Sequence, residues 1–236
     1  MTMATGFLLA VAVAAPAALA AAPAAAAATV QPAQDCLLPP ATCYSPAQFR
    51  TAYGVQSLLS HGTDGRGTTV ALIELSTPPP VQFPPVTDIR QDLARFDSVF
   101  GLPAATVEVD NTLAKAATPW LSGGEETQDT EIVHAIAPAA TIREVLVNED
   151  ALATPASAIA AFTAALRRAS GEADVISLSV SLGEHFFTSA EAASLHQALE
   201  LARARHVTVV AASGDFGASS DPAFDGGPVK EVSLPA

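Results

Sequence analysis

The sequence predicts an α/β protein built on a doubly wound parallel sheet. Several short apolar, β-branched runs have the composition of strands buried on both faces. Segments with helical spacing of apolar residues alternate with these runs along the chain. Half of the 236 residues are hydrophobic, which is enough to bury one sizeable core. Buried strands joined by crossover helices form a parallel sheet with helices on both faces.

The elements follow one another in order. The first predicted strand, residues 69–75, is a continuous apolar run, and the helix predicted over residues 87–100 has apolar residues three to four positions apart. Further strands are predicted at 106–109, 141–147, 174–180 and 207–212, and further helices at 125–137, 155–169 and 189–205. The strand at 207–212 is predicted to be buried. In such sheets, functional sites lie at the carboxyl ends of the strands.

The N-terminal region indicates export. Residues 1–34 have no charged side chain, residues 6–15 are apolar, and residues 18–20 fit a signal-peptidase site. We therefore predict a signal peptide at 1–20, an Ala/Pro leader with a cysteine arm at 21–43, and a domain from 44 to 236. A permanent membrane anchor is the alternative, but Pro16 and Pro23 and the lack of basic flanks disfavour it. Secretion is the expectation.

The net charge and the cysteine content exclude some classes of binding partner and metal site. Lys and Arg together number 11 and Asp and Glu 24, which gives a net charge of −13 and disfavours binding to nucleic acid. Two cysteines are too few for a zinc ribbon. In an exported protein, the short spacing of Cys36 and Cys43 favours a disulfide, with free thiols as the alternative.

An acidic pair opens the predicted helix at 125–137. Glu125 and Asp129 are four residues apart, so both side chains project from one face, with Cβ atoms roughly 5–6 Å apart. Two such carboxylates can share a proton and form a general base that works in acid. The alternative is that acidic residues stabilise the positive end of the helix dipole. His134 is five residues beyond Asp129, on another side of the helix, and is expected to be structural.

Two other segments follow predicted strands. Asp215 stands between glycines after the strand at 207–212, where a substrate backbone can approach closely, although the same residues favour a simple turn. Residues 174–179, followed by Ser181, Leu182 and Gly183, could present a strand edge to an extended peptide. The alternative for this strand is a simple core strand.

Four sequence blocks in this order resemble the sedolisins, which are serine-carboxyl peptidases with a subtilisin-like fold. The blocks are YSPAQFRTAYGV at 44–55, GRGTTVALIE at 65–74, Glu125 with Asp129-Thr130-Glu131, and SGDFG at 213–217. The resemblance covers residues 44–236. It implies that Glu125 is the general base for a nucleophilic serine, that Asp129 orients it, and that Asp215 is a protonated donor to the oxyanion. It also implies that Ser181, Leu182 and Gly183 line the substrate channel and that Glu74 extends the carboxylate network.

The resemblance also implies features that these residues do not contain. The nucleophile of the family lies in a Gly-Thr-Ser segment after the Ser-Gly-Asp motif, and its calcium loop lies near the C-terminus. Neither segment occurs in the 236 residues. We therefore expect no cofactor in this chain, calcium in the family through later residues, and a subtilisin-like fold that is incomplete at its C-terminus. The chain is interpreted as the N-terminal part of a secreted endopeptidase acting on peptides at acidic pH, and is itself expected to be inactive.

The sequence has two alternative interpretations. A Ser-His-Asp subtilase would need an aspartate after the first strand and a histidine segment, whereas the chain has Glu74 and no such segment. A non-catalytic, secreted peptide-binding module of peptidase-like fold remains open.

Overall fold

The computed structural model describes residues 44–76, 88–114, 124–219 and 230–235, without the side chain of Glu149. The predicted signal peptide, the leader, Cys36 and Cys43 lie outside the described residues, so the predictions for them remain predictions. Within the described ranges, no helix is long and apolar enough to cross a membrane.

The central element is a parallel sheet of five strands, in agreement with the predicted fold class. Its strands are β1 (Thr69–Ser76), β2 (Thr106–Asp110), β3 (Thr141–Asn148), β4 (Val175–Leu178) and β6 (Thr208–Ala211). The spatial order is β2-β3-β1-β4-β6, and all neighbours are parallel. A separate antiparallel pair consists of β5 (Leu182–Gly183) and β7 (Ser233–Leu234), which the sequence analysis did not predict.

Helices cover both faces of the sheet. They are α1 (Pro46–Ala52), α2 (Val55–Ser60), α3 (Ile89–Phe100), α4 (Gly124–Ile136), α5 (Pro155–Ala169) and α6 (Ser189–Ala204). Helices α3 and α4 pack on one face, and α5 and α6 on the other. The first two helices were not predicted. A capping box between Ser45 and Gln48 begins α1, because each side chain bonds the backbone N–H of the other residue.

Strand alternation assigns the side chains to two layers. On β1, Ala71 and Ile73 join the core beneath α5 and α6, whereas Leu72 packs with residues of α3 and α4. On β3, Val145 faces the first layer and Ile142 the second. Glu74 is two residues after Leu72, and Glu144 is two residues after Ile142. The same alternation therefore puts both glutamates on the side of the sheet that α4 covers.

The chain direction at the sheet defines a crevice. After β1 the chain passes to β2, on one side, and after β4 it passes to β6, on the other. The carboxyl ends of β1 and β4 therefore flank a topological switch point, where α/β proteins bind ligands. Helix α4 leads back to the start of β3, so its N-terminus lies at the same edge of the sheet.

Two strands differ from the predictions. Strand β4 is shorter than residues 174–180 and is paired on both edges, with β1 and β6, so the core-strand alternative is correct for it. Strand β6 was predicted to be buried, but Val210 is 56% exposed. Among the described strands, β6 is at the end of the sheet. Helix α6 packs against it, and Val209 and Ala211 join the core on one face.

Candidate active site

Helix α4 has two adjacent stripes of side chains. Glu126, Thr130 and His134 recur every fourth residue and are buried. Glu125 and Asp129 form the neighbouring stripe, with Glu125 exposed and Asp129 half-buried. The two acidic side chains therefore lie one turn apart on one face, as their spacing predicts.

Asp129 is held by a residue that the sequence analysis did not select. The hydroxyl group of Ser179 donates a hydrogen bond to Asp129 Oδ2. Ser179 follows directly after β4, so this bond joins α4 to the strand end beside the switch point. A serine at the end of a buried strand is a signal that could have identified it.

The environment of Glu125 favours its neutral form. Partial burial raises the pKa of Glu125, and the negative charges of Asp129, Glu126 and Asp215 raise it further. Asp215 is 90 residues away in the sequence and follows β6. Its charge nevertheless acts on Glu125, so the carboxyl edge of the sheet brings the two predicted site residues into one neighbourhood.

The turn that carries Asp215 depends on glycine. Gly214 has φ +87°, a left-handed conformation that side chains disfavour. A Cβ atom on Gly214 would lie 3.3 Å from Ser233 Oγ and 3.6 Å from Ser181 Oγ. Ser181 therefore lies beside the Ser-Gly-Asp turn, and Asp215 itself is exposed.

Leu182 and Gly183, the other two residues predicted to line the substrate channel, pair with another strand of the same chain. Leu182 and Gly183 form β5 and pair with Leu234 and Ser233 of β7. Gly183 is buried against the carboxyl group of Glu231, whose position overlaps that of a Cβ atom on residue 183. At these two residues the strand edge is paired with the chain itself.

Glu74 lies beneath the exposed acidic pair. Its side chain is on β1, it is only 5% exposed, and its Oε1 atom is buried without a hydrogen-bond partner among the described residues. Burial raises the pKa of Glu74 to about 10, with further contributions from Glu144, Asp129, Glu126 and Glu125. At neutral pH its carboxyl group is therefore protonated.

Two acidic residues of this network, Glu126 and Glu144, were missed by the sequence analysis. Glu126 is 7% exposed and Glu144 is fully buried. Burial raises the pKa of Glu144 to about 8; a hydrogen bond with Thr130 acts to lower it, and the charges of Glu126 and Asp129 act to raise it. The period-two pattern of Ile142, Glu144 and Leu146 is the signal for Glu144, because it puts a carboxyl group on an apolar face.

His134 has the structural surroundings expected from its position. It is fully buried, and its Nε2 atom lies 2.8 Å from the carbonyl oxygen of Pro103 and 3.0 Å from Asp97 Oδ1. It therefore ties α4 to α3 and to the loop before β2. In the parts of the chain that the structure describes, no group of three or more His, Cys, Asp or Glu residues is arranged to hold a metal ion.

Comparison with known sequences supports the motif resemblance. No family model matches the chain. Kumamolisin from Bacillus sp. (strain MN-32), a member of the sedolisin family, is 30% identical over 199 residues. That alignment covers 83% of this chain and 32% of kumamolisin. The chain thus spans about a third of the length of the curated relative that it matches.

Solved structures show the same fold. Pseudomonas sedolisin, a serine-carboxyl proteinase complexed with pseudo-iodotyrostatin, matches with a TM-score of 0.58 and 22% identity, over 82% of this chain and 50% of that one. A lanthipeptide protease matches with a TM-score of 0.50 and 18% identity, over 80% and 50% of the two chains. Sequence and fold together confirm the resemblance to the sedolisins.

Proposed function

Starting from the relationship of this chain to the sedolisins, we propose that it forms part of a secreted serine-carboxyl endopeptidase that hydrolyses peptide bonds at acidic pH. Glu125 is the general base, Asp129 orients it, and Asp215 donates a hydrogen bond to the oxyanion. The serine that attacks the peptide lies outside these 236 residues. Calcium, which the family resemblance implies, would likewise be held by residues outside them.

One observation carries the proposal. The negative charges of Asp129 and of Asp215, which follows β6, both raise the pKa of Glu125. The helix pair and the strand-end acid that the motifs single out therefore share one electrostatic neighbourhood. Acid–base chemistry requires such convergence, and a pair that only stabilised the helix dipole would not need Asp215 nearby.

The acidic pair suits proton abstraction. A serine hydroxyl loses its proton as it attacks a carbonyl carbon, and a carboxylate within hydrogen-bond reach can accept that proton. The raised pKa of Glu125 makes its carboxylate a stronger base than an ordinary glutamate. Asp129, fixed by the hydroxyl of Ser179, provides the partner that orients Glu125.

The oxyanion role sets the working pH. Attack on the peptide carbonyl gives a negatively charged oxygen, which a hydrogen-bond donor stabilises. A carboxyl group donates only when it is protonated, so Asp215 has this role only in acid. The exposed position of Asp215 after β6 and the missing side chain at Gly214 leave its carboxyl group accessible to a substrate.

The test is a pH–rate profile of the protein that carries this chain and its nucleophile, measured on an unstructured protein substrate from about pH 3 to about pH 8. We expect maximal kcat/KM in acid. Glu125→Gln should lower kcat by roughly a thousandfold or more, because an amide cannot accept the proton of the serine. Asp215→Asn should lose less activity near neutral pH than in acid, since an amide donates at any pH.

Glu200→Gln is the matched control. Glu200 is a glutamate of α6 that pairs with Arg203 at the surface, so its variant should retain the activity of the parent protein. Maximal activity at alkaline pH, or a fully active Glu125→Gln variant, would refute the glutamate-base mechanism. A parent protein that binds peptides without cleaving them at any pH would identify the binding-module alternative.

A further inference from the structure

Glu144 occupies an unusual position for a charged residue. It lies on β3 between Ile142 and Leu146, on the side of the sheet that α4 covers, and it is fully buried. Its Oε2 atom has no hydrogen-bond partner among the described residues. An ionised carboxylate buried in this way is costly, so the site must either neutralise the group or give it donors.

Thr130 is the hydrogen-bonding neighbour of Glu144, and its single hydroxyl group contacts two oxygen atoms at once. Thr130 Oγ1 lies 2.7 Å from Glu144 Oε1 and 2.6 Å from the carbonyl oxygen of Glu126. A hydroxyl group has one hydrogen to donate and two lone pairs that accept. It therefore cannot donate fully to both oxygen atoms.

The hydroxyl group of Thr130 is expected to donate its hydrogen to the carbonyl oxygen of Glu126. A threonine within a helix commonly donates to the carbonyl oxygen four residues earlier, and this carbonyl can only accept. Glu144 can act either as acceptor or, when protonated, as donor. Both short contacts are hydrogen bonds if Thr130 donates to Glu126 and the carboxyl group of Glu144 donates to Thr130.

We propose that Glu144 is a positioning residue of the proposed active site, whose protonated carboxyl group donates a hydrogen bond to Thr130 and thereby fixes the turn of α4 that carries Asp129. Thr130 is adjacent to Asp129 in the sequence, so the bond ties that turn to the centre of the sheet. Ser179 holds Asp129 from the other side. The proposal rests on the peptidase function proposed above.

The groups that surround Glu144 agree with a protonated state. Glu126 and Asp129 of α4 lie near Glu144, and so does Glu74 of β1. Glu74 is also buried, and its own pKa is raised. The negative charges of Glu126 and Asp129 oppose the ionisation of Glu144. On its own strand, the adjacent Arg143 is paired with Glu108, Asp110 and Glu172 instead.

The proton is tested directly by NMR. In the protein labelled with ¹³C at glutamate side chains, the carboxyl carbon of Glu144 is assigned by its loss in Glu144→Gln and followed from about pH 4 to about pH 8. We expect it to retain the chemical shift of a protonated carboxyl group at about pH 6, where exposed glutamates are ionised. The shift of an ionised carboxylate at that pH would overturn the assignment of the donor.

The positioning role is tested by variants of both partners. Glu144→Met and Thr130→Val each remove the bond with little change in volume, whereas Glu144→Gln and Thr130→Ser each keep a donor or a hydroxyl group. We expect the first two to lower kcat about tenfold or more with KM nearly unchanged, and the second two to retain most of it. Circular dichroism confirms that each variant is folded.

The outcomes are distinguishable. Equal kcat for parent, Glu144→Met and Thr130→Val would show that the bond does not position the site and would overturn the proposal. Equal losses in Glu144→Gln and Glu144→Met would also overturn it, because the donor would not matter. A parent protein inactive at every pH would refute the peptidase function and with it the positioning role, while the NMR titration would still decide whether Glu144 carries the proton.

Discussion

Replacing Glu74 by glutamine should stabilise the protein at neutral pH and leave its stability in acid nearly unchanged. The pKa of Glu74 in the folded protein is raised to about 10, mainly by burial, whereas an unfolded glutamate has its ordinary value. Between these two values the folded state holds a proton that the unfolded state has released. The stabilising contribution of the protonated group is therefore complete below about pH 4.5 and is lost progressively as the pH rises.

The magnitude follows from the proton count. When only the folded state binds a proton, the free energy of unfolding falls by about 1.4 kcal/mol for each unit by which the pH rises. Between about pH 4.5 and about pH 7 the loss is on the order of 3 kcal/mol. Total stabilities of about 5–15 kcal/mol make the effect large.

Glutamine has nearly the same volume and cannot ionise, so Glu74→Gln removes this dependence. We expect the variant and the parent to have similar stability at about pH 4.5, and the variant to be more stable by up to about 3 kcal/mol at about pH 7. The measurement is urea denaturation followed by circular dichroism at both pH values. Glu200→Gln, a surface change on α6, is the control and should follow the parent protein.

Two results would refute this reasoning. If the free energies of unfolding of Glu74→Gln and of the parent stayed parallel across the pH range, Glu74 would titrate alike in the folded and unfolded states. If the variant were less stable at neutral pH, an ionised Glu74 would be making favourable contacts in the folded protein, and the protonated state would be wrong.

Two further predictions concern the framework around α4. A Cβ atom on Gly65, which has φ +88°, would lie 2.9 Å from Ala137 Cβ, so Gly65→Ala should cost about 1–3 kcal/mol more in urea denaturation than Gly62→Ala, which has similar φ and open space. The side chain of Arg50 donates from Nε to the carbonyl oxygen of Ala135 at 2.6 Å, so Arg50→Met should cost about 1–3 kcal/mol, whereas Arg66→Met at an exposed site should cost little. Equal costs within either pair would contradict the contact concerned.

The order of strands and helices was predictable because local patterns determine it. The helix at residues 155–169 agrees with its prediction at both ends, since Thr154 caps it, Pro155 begins it, and its apolar face is continuous. The pair of Glu125 and Asp129 was also predictable, because a four-residue spacing fixes their shared face in any helix. Such features depend only on residues close in the sequence.

Features that depend on sheet order were not predictable in the same way. The exposure of Val210 follows from the position of β6 at the end of the sheet, which no pattern within residues 207–212 reveals. The bond from Ser179 to Asp129 joins two segments 50 residues apart. Alternation directs Arg143 and Glu144 to opposite faces of β3, and the strand alone does not reveal which of these faces α4 covers.

The buried carboxyl groups link stability to the proposed chemistry. Glu74 and Glu144 are neutral in the folded protein at the pH where exposed acids are charged, and their protons stabilise the fold most in acid. The proposed role of Asp215 also requires a protonated carboxyl group, so the fold and the oxyanion donor favour the same pH range. Glu125 is more exposed than Glu74 and Glu144, so of these three glutamates it ionises most readily and can accept a proton. Burial increases from Glu125 through Glu74 to Glu144. The most exposed of the three can therefore act as the base, while the two buried carboxyl groups keep their protons. Acid catalysis by carboxyl groups requires both kinds of group.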